Sequence, residues 1–408
     1  MRELKDLLLE YDRYQKMGLS LNMSRGKPNK KQLDLSNGLF SVLKEDSNFV
    51  SDGVDVRNYG NLTGINASKA LFSSILGIDR ENIIIHGNSS LNAMYDQISR
   101  SMTHGVNGST PWMKLDKPVK WLCPTPGYDR HFAITEYFGI EMINIPMNED
   151  GPDMDLVEQY VKDESVKGIW CVPIYSNPTG ITYSDEVVKR FARLKPKAKD
   201  FRIYWDEAYL VHHLYNGHND TLLNLFDECK KYGNEDLPYI FFSTSKIGFA
   251  GSGVSVIAAS NNNIEFIKNQ LKYQTISFDK INQLRQALFF INKEHVDEHM
   301  KKHADILRPK FEIVEKVLKE ELTGIASWSK PNGGYFVSLY VKGIAKEVYE
   351  RCKNCGVTLT DIGCAYPYHN DPYNSHIRIA PTFLSNDELE LAMKVLCLSI
   401  QIEMSLKQ

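Results

Sequence analysis

Little in this sequence points to a membrane, an oxidising compartment or a polyanionic partner. No apolar run approaches the roughly 20 residues that a helical span requires. The opening Met1-Arg-Glu-Leu-Lys-Asp6 is charged and lacks an apolar core, so no secretory signal is expected, and a cytoplasmic location is. The seven cysteines (Cys123, Cys171, Cys229, Cys352, Cys355, Cys364, Cys397) are scattered and odd in number, which fits reduced thiols better than a disulfide framework. Cys352 and Cys355 form a single CxxC with neither a second pair nor metal-spaced histidines, so it reads as structural. A formal net charge of −3 leaves no basic excess for general nucleic-acid or membrane-surface binding. There is no internal repeat and no long low-complexity linker.

What is present is an ordinary globular composition over 408 residues, long enough for two or three domains. Leu4, Leu8 and Tyr11 recur at helical spacing, so residues 2–16 are expected to form an amphipathic helix. A polar link with glycine and proline follows at 23–28. From about residue 66, helical stretches alternate with continuous apolar runs at 82–86, 119–123, 140–145, 168–175, 201–206, 239–243 and 254–259. Continuous hydrophobicity is what strands covered on both faces require. Stretches such as Asp185–Leu194 suit crossover helices. The expected class is α/β, with a mostly parallel seven-stranded sheet in a large domain. A charged helix over 303–322, strand signals at 331–339 and 376–380, and a helix from about Asn386 read as a smaller α+β domain. The division expected is 1–45 for an N-terminal arm and part of the small domain, 46–295 for the large domain, and 296–408 for the small C-terminal domain.

One stretch organises the rest. Phe241-Phe242 runs into Ser243-Thr244-Ser245-Lys246, followed by Gly248, Gly251 and Gly253. A lysine where a buried strand ends is poised for chemistry, because desolvation lowers its pKa and supplies a neutral amine. Two other runs end in unusual polar residues: Ser176-Asn177-Pro178-Thr179-Gly180, and Asp206-Glu207-Ala208-Tyr209. Ligands of open α/β sheets gather at the carboxyl ends of strands. An amide, a carboxylate with a phenol, and an amine are therefore expected to face one crevice. Singly these are a turn, a helix cap and a surface lysine; their joint placement is harder to dismiss.

The motifs NPTG, DEAY and SxSK, in that order and followed by a late arginine strand, resemble fold-type I pyridoxal-phosphate (PLP) enzymes of the aspartate aminotransferase superfamily over nearly the whole chain. Ser24-Arg-Gly-Lys-Pro28, Gly87-Asn-Ser-Ser-Leu-Asn92, Pro124-Thr-Pro-Gly-Tyr-Asp-Arg-His131 and Ile377-Arg-Ile-Ala-Pro-Thr382 resemble one branch, the bacterial class Ic (MocR-like) aminotransferases. The resemblance implies transfer of an amino group between an L-amino acid, aspartate or glutamate, and a 2-oxo acid. The chemistry implied is ping-pong, through a Lys246 aldimine and a pyridoxamine form. It gives Lys246 the Schiff base and the proton shuttle. Asp206 would hold the pyridine nitrogen protonated, Asn177 and Tyr209 would bond the ring O3′, and Tyr128 would stack on the ring. The Asn177–Pro178 bond is expected to be cis.

For the phosphate, the resemblance implies Asn88, Ser89 and Ser90 before a helix beginning near Leu91, with Ser243 and Ser245. Tyr59 would come from the partner subunit, which implies a homodimer with shared active sites. Many relatives carry an arginine eight residues after the lysine; Val254 stands there, so the clamp must be weaker or rebuilt, with Ser252 or another cation. Arg378 matches the α-carboxylate arginine, with Asn177 beside it, and a planar fork suits that group. Arg25 and Lys27, in a Gly/Pro segment able to close over a site, are candidates for a distal carboxylate. No metal is implied: on a helix His212 and His213 would point apart. His86 reads as a core histidine, and His131 as a pocket residue without chemistry. A PLP-dependent β-lyase, or an aromatic or aliphatic aminotransferase, would use the same scaffold. A MocR-type effector-binding regulator fits less well, since the region before the α/β domain shows neither a helix-turn-helix pattern nor a basic cluster.

Overall fold

Seven apolar runs become seven strands of one sheet in the computed structural model, which describes residues 2–407. With one short addition, the strands are β1 (Ile83–Ile85), β2 (Lys120–Thr125), β3 (Glu141–Asn148), β4 (Gly151–Pro152), β5 (Val166–Cys171), β6 (Arg202–Asp206), β7 (Pro238–Ser243) and β8 (Ser255–Ala258). Their order across the sheet is β1-β8-β7-β6-β5-β2-β3-β4. From β7 to β3 every pairing is parallel, and β8 runs antiparallel to both of its neighbours. Every residue of β1, β5, β6, β7 and β8 is buried, which is why these strands read as unbroken hydrophobicity. Successive side chains of β6 serve opposite cores, Trp205 packing with Phe191 and Phe242, and Tyr204 with Trp121 and Trp170.

Two details differ from the expectation. An eighth strand, β4, folds back on β3, and two residues are too few to register as an apolar run. The run through Tyr175 leaves the ladder after Cys171, because Pro173 has no N–H to continue it. Tyr175 then adopts a left-handed φ of 49° immediately before Ser176-Asn177.

Helix α1 (Leu4–Lys16) buries Leu7 and Tyr11 against α4 (Asn386–Leu406), so the two ends of the chain share one core. Between them lies α2 (Ser90–His104), followed much later by the 30-residue α3 (Lys293–Leu322). α3 starts ten positions before the expected 303. Its first turns are mostly polar, with Val296 and Met300 the only buried apolar side chains, one turn apart, and the Asn292 side chain caps it by accepting from the His295 N–H at 3.1 Å. The smaller sheet comprises β9 (Ser327–Trp328), β10 (Val337–Tyr340) and β11 (His376–Ile379), all antiparallel. A separate parallel pair joins Leu21–Asn22 to Val357–Thr358.

His376 of β11 is buried, with Nε2 2.9 Å from the Ser338 hydroxyl, and burial pushes its pKa down to about 3. In the unfolded chain the group titrates near 6.5. Below that pH the unfolded state takes up a proton that the folded state refuses, so stability falls as the pH drops from 6.5 towards 3. At pH 5 the loss from this one group is about 2 kcal/mol. Urea unfolding at pH 7 and pH 5 should show that loss, reduced by a similar amount in His376→Gln. An equal acid sensitivity in the variant would refute the assignment.

Candidate active site

The three strand ends meet. Asp206 is the last residue of β6, Ser243 the last of β7, and Asn177 lies in the turn after β5; β5, β6 and β7 are adjacent and parallel. A single 3-10 turn, Thr244–Lys246, then carries the lysine back over the sheet. Asp206, Asn177, Tyr209 and Lys246 line one cavity of about 160 Å³, closed at its far end by Ser89, Ser90 and Ser245 and flanked by Tyr128. Four of these residues, Tyr128, Asn177, Tyr209 and Lys246, also line a wider cleft of about 490 Å³ that includes Arg25, Lys27 and Arg378.

The Lys246 ammonium position lies 4.9 Å from the centroid of the Tyr209 ring. Burial lowers the lysine pKa and Asp206 opposes that shift, so the neutral amine is more accessible than on an exposed lysine. Tyr209 is itself buried, and burial drives its phenol well above the usual range, keeping it a donor at neutral pH. Asp206 is 2% exposed. Its Oδ2 lies 3.4 Å from His131 Nε2, while Oδ1 is buried without a hydrogen-bond partner. An orphaned carboxylate oxygen in a cavity wall suits a group that brings a proton to it, as a pyridinium nitrogen does.

At the far end, Ser89 caps α2 and leaves the first backbone N–H groups of that helix pointing out of its N-terminus, a ready seat for an anion. Ser245 lines the same cavity, whereas Ser243 does not and reaches it only through Ser245, whose hydroxyl lies 2.8 Å from its own. Asn88 does not line the cavity: its carbonyl backs onto Gly253, where a Cβ would come within 2.5 Å of it. Val254 is buried in the core with its N–H on the Thr244 hydroxyl at 3.0 Å. Ser252 accepts from Arg285 at 2.6 Å, and neither residue lines the cavity. Tyr59 is 75% exposed and is not brought to the cavity by its own chain.

Arg378, from β11, enters the cleft as a buried guanidinium lying 4.9 Å from the Phe336 ring centroid. Its Nη1 donates to Asp129 at 2.9 Å and to the Asn177 side-chain oxygen at 3.2 Å, and Nε donates to the Thr360 hydroxyl at 3.3 Å. Because Asn177 accepts through its oxygen, its NH₂ group is left to donate elsewhere. The Asn177–Pro178 peptide is cis, as expected, and so is Thr125–Pro126. Arg25 and Lys27 are exposed on the cleft wall. Their segment is tethered rather than loose. Thr360 donates to the Ser24 carbonyl at 2.6 Å, Thr382 donates to that of Lys27 at 2.9 Å, and Gly26 lies so close to Phe336 that a Cβ would come within 2.5 Å of the ring.

Sequence reasoning missed Asp129 and Thr360, and it left His131 without a task. His131 stacks on Trp170 at 4.4 Å and thereby presents Nε2 to Asp206. The only available signal was the position of Asp129 and His131 just after Tyr128, in a turn already under suspicion. Of the remaining candidates only His212 comes near the site, its ring centroid 5.6 Å from that of Tyr209. His86 is buried with Nε2 3.1 Å from Asp96. His212 and His213 are not on a helix, and His213 pairs with the Tyr175 hydroxyl at 2.7 Å. Cys352 is buried, its thiol pushed up to about 12, which makes the reactive thiolate scarce.

The family model described as aspartate amino-transferase matches residues 2–408. The aspartate aminotransferase of Corynebacterium glutamicum is 43% identical over 393 residues, spanning 95% of this chain and 90% of the relative. The crystal structure of an aspartate transaminase from Corynebacterium glutamicum aligns with a TM-score of 0.96 at 41% identity, covering 99% of this chain and 96% of that one. The α-aminoadipate aminotransferase of Thermus thermophilus, complexed with N-(5'-phosphopyridoxyl)-L-leucine, shares the fold with a TM-score of 0.77 at 18% identity, over 98% of this chain and 95% of that one. A lysine, an aspartate and a cis Asn-Pro turn at three adjacent strand ends thus sit in a chain matched along its whole length, and this chain belongs to the aspartate aminotransferase family of PLP-dependent, fold-type I enzymes.

Proposed function

We propose that this aminotransferase takes aspartate or glutamate as amino donor and a 2-oxo acid as acceptor. The observation that carries the reading is the buried Lys246 amine facing Asp206 in a cavity that shares its wall with Arg378. PLP, when bound, supplies an electron sink for the charge that develops at the substrate α-carbon. Asp206 would hold a proton on the pyridine nitrogen, with His131, stacked on Trp170, 3.4 Å from its carboxylate. Tyr209 and the NH₂ of Asn177 would donate to the ring oxygen, Tyr128 would cover the ring, and Ser89, Ser90, Ser243 and Ser245 would receive the phosphate. Lys246 would hold the cofactor and would move the proton at the substrate α-carbon. Arg378 grips the α-carboxylate, its fork oriented by Asp129, Asn177 and Thr360.

We further infer a homodimer in which the partner supplies Tyr59. What supports it is that Tyr59 is 75% exposed and lines neither the cavity nor the cleft of its own chain. The division into 1–45, 46–295 and 296–408 belongs to the same reading, with residues 1 and 408 outside the described part of the chain. Among the described residues no helix is long and apolar enough to cross a membrane, and the proposed location is the cytoplasm.

The test is the visible spectrum of the holoenzyme. L-aspartate should bleach the cofactor band, and 2-oxoglutarate should restore it; a band indifferent to aspartate would redirect the assignment to other amino acids. Arg25→Ala and Lys27→Ala should each raise KM for dicarboxylic substrates by about tenfold, with smaller changes for alanine or phenylalanine. Equal losses on all substrates would remove both residues from the distal subsite.

A further inference from the structure

Tyr175, two residues before Asn177, combines backbone strain with a side chain that is fixed at both ends. It is 1% exposed, and its left-handed φ of 49° is one that a large L side chain keeps only where its surroundings over-determine it. The hydroxyl lies 2.7 Å from His213 Nδ1 and accepts from the Asp220 N–H at 3.1 Å. At the other end, the Tyr175 N–H donates to the Thr182 hydroxyl at 3.3 Å, and that hydroxyl donates to the Asp220 carboxylate at 2.6 Å. Asp220 thus holds the tyrosine from two directions, while its second oxygen accepts from the Asn332 side chain at 2.9 Å. Burial raises the Tyr175 pKa and lowers that of His213, so the phenol keeps its proton and the imidazole is neutral. Donors and acceptors then close without conflict. The phenol proton goes to Nδ1, the phenol oxygen takes the Asp220 N–H, and the imidazole proton stays on Nε2.

The ring is clamped as well. Residues 212–214 run beside 332–334, with the Gly334 N–H donating to the His212 carbonyl and the Leu214 N–H to that of Asn332, both at 2.9 Å. Gly333 crosses the Tyr175 ring so closely that a Cβ there would come within 2.3 Å of it. Shortly after Gly334 the chain enters β10, which pairs Ser338 with Arg378 of β11. The Asn177 side-chain oxygen accepts from that same arginine at 3.2 Å. The smaller sheet therefore grips this turn twice, Tyr175 by the approach to β10 and Asn177 by β11. Between them Ser176 closes the loop, its N–H on the Ile181 carbonyl at 2.9 Å and its carbonyl taking the Gly180 N–H at 2.7 Å.

We propose that Tyr175 is a positioning residue that sets the Asn177 side chain between Arg378 and the cofactor ring, its own side chain being fixed by His213, Asp220 and Gly333. The coupling runs along the backbone: the strained φ sets the direction of the next two residues, so a ring that shifts takes Asn177 with it. The inference rests on Asn177 facing the ring oxygen of PLP, as proposed above.

The test uses Tyr175→Phe, which keeps the ring and removes the hydroxyl, and Gly333→Ala, which crowds the ring and leaves the hydroxyl. In the purified holoenzyme, hydrogen exchange of the Ser176 and Gly180 amides should rise about tenfold in Tyr175→Phe, the effect of one lost buried hydrogen bond, and by a similar factor in Gly333→Ala. The second readout is the pH midpoint of the visible band of bound PLP. A donor to the ring oxygen favours the deprotonated, more negative cofactor, so a loosened Asn177 should raise that midpoint by roughly half a pH unit in Tyr175→Phe. The kcat/KM for L-aspartate should fall about tenfold. In an Asn177→Ala background, whose own midpoint is raised, Tyr175→Phe should change neither quantity further, whereas a merely structural weakening would add in both backgrounds. Unchanged exchange in Tyr175→Phe, or an equal effect of that substitution with and without Asn177, would overturn the proposal. If Asn177→Ala alone leaves the midpoint where it was, the ring contact assigned to Asn177 fails, and exchange at 176 and 180 decides whether Tyr175 holds the turn.

Discussion

Lys246→Ala should lose roughly 10⁴-fold or more in kcat for amino transfer while remaining folded, since it removes both the covalent anchor and the group that moves the α-proton. The variant should also fail to form a borohydride-reducible link to PLP. The only other lysine on the walls of the two cavities is Lys27, which is exposed at the cleft surface with its Nζ 3.9 Å from the centroid of the Phe383 ring. It cannot replace an amine that is desolvated and set against Asp206. Because alanine fits the partly buried position without adding a polar group, the fold should tolerate the change, and circular dichroism would separate lost chemistry from lost structure. Cofactor still fixed by borohydride in this variant would show that another amine is the attachment point.

Arg378→Ala is the second large effect. A bidentate carboxylate contact comprises two charge-assisted hydrogen bonds of about 2 kcal/mol each, so kcat/KM should fall by about 10³. Arg378→Lys should recover about one order of magnitude at best, because an ammonium lacks the fork that Asp129, Asn177 and Thr360 hold in place. The loss should be uniform across aspartate, glutamate and monocarboxylic amino acids, since all present the same α-carboxylate. A deficit confined to dicarboxylates would move Arg378 to the other end of the substrate. Stability should change little, because the Asp129 side chain is 28% exposed and can be rehydrated when its partner goes.

The central sheet and the reactive trio were legible for one reason. Strands buried on both faces leave an unbroken apolar record, and polar residues that interrupt such a record at its carboxyl end stand out, as Asn177, Asp206 and Lys246 do. Asp129 and Thr360 left no such record. Asp129 is 249 positions from Arg378 in sequence, and only the packing of β11 against the first turn after Tyr128 makes it a partner. His131 read as a bystander because its role depends on stacking against Trp170, a contact between elements rather than a local pattern. The early start of α3 was hidden by its charged first turns, where capping and two buried apolar side chains take the place of a hydrophobic stripe. Tyr175, Asp220 and Gly333 were equally silent: each is ordinary alone, and they meet only when the segments 212–220 and 332–334 close over the turn after β5.

The pairing of Leu21–Asn22 with Val357–Thr358, and the Thr360 bond to Ser24 across 336 positions, have a consequence for how the chain is made. At about 5–20 residues per second, the ribosome needs roughly 17 to 67 s to deliver the second half of that contact after the first. During that interval the central sheet can form, but Leu7, Tyr11, Leu21 and Met23 have no core to enter, because the surfaces that bury them lie at the far end of the message. The arm that later lines the substrate cleft is therefore among the earliest segments synthesised and among the last to be sheltered. Nascent chains halted before residue 357 should expose it to proteases and to chaperones that read apolar segments.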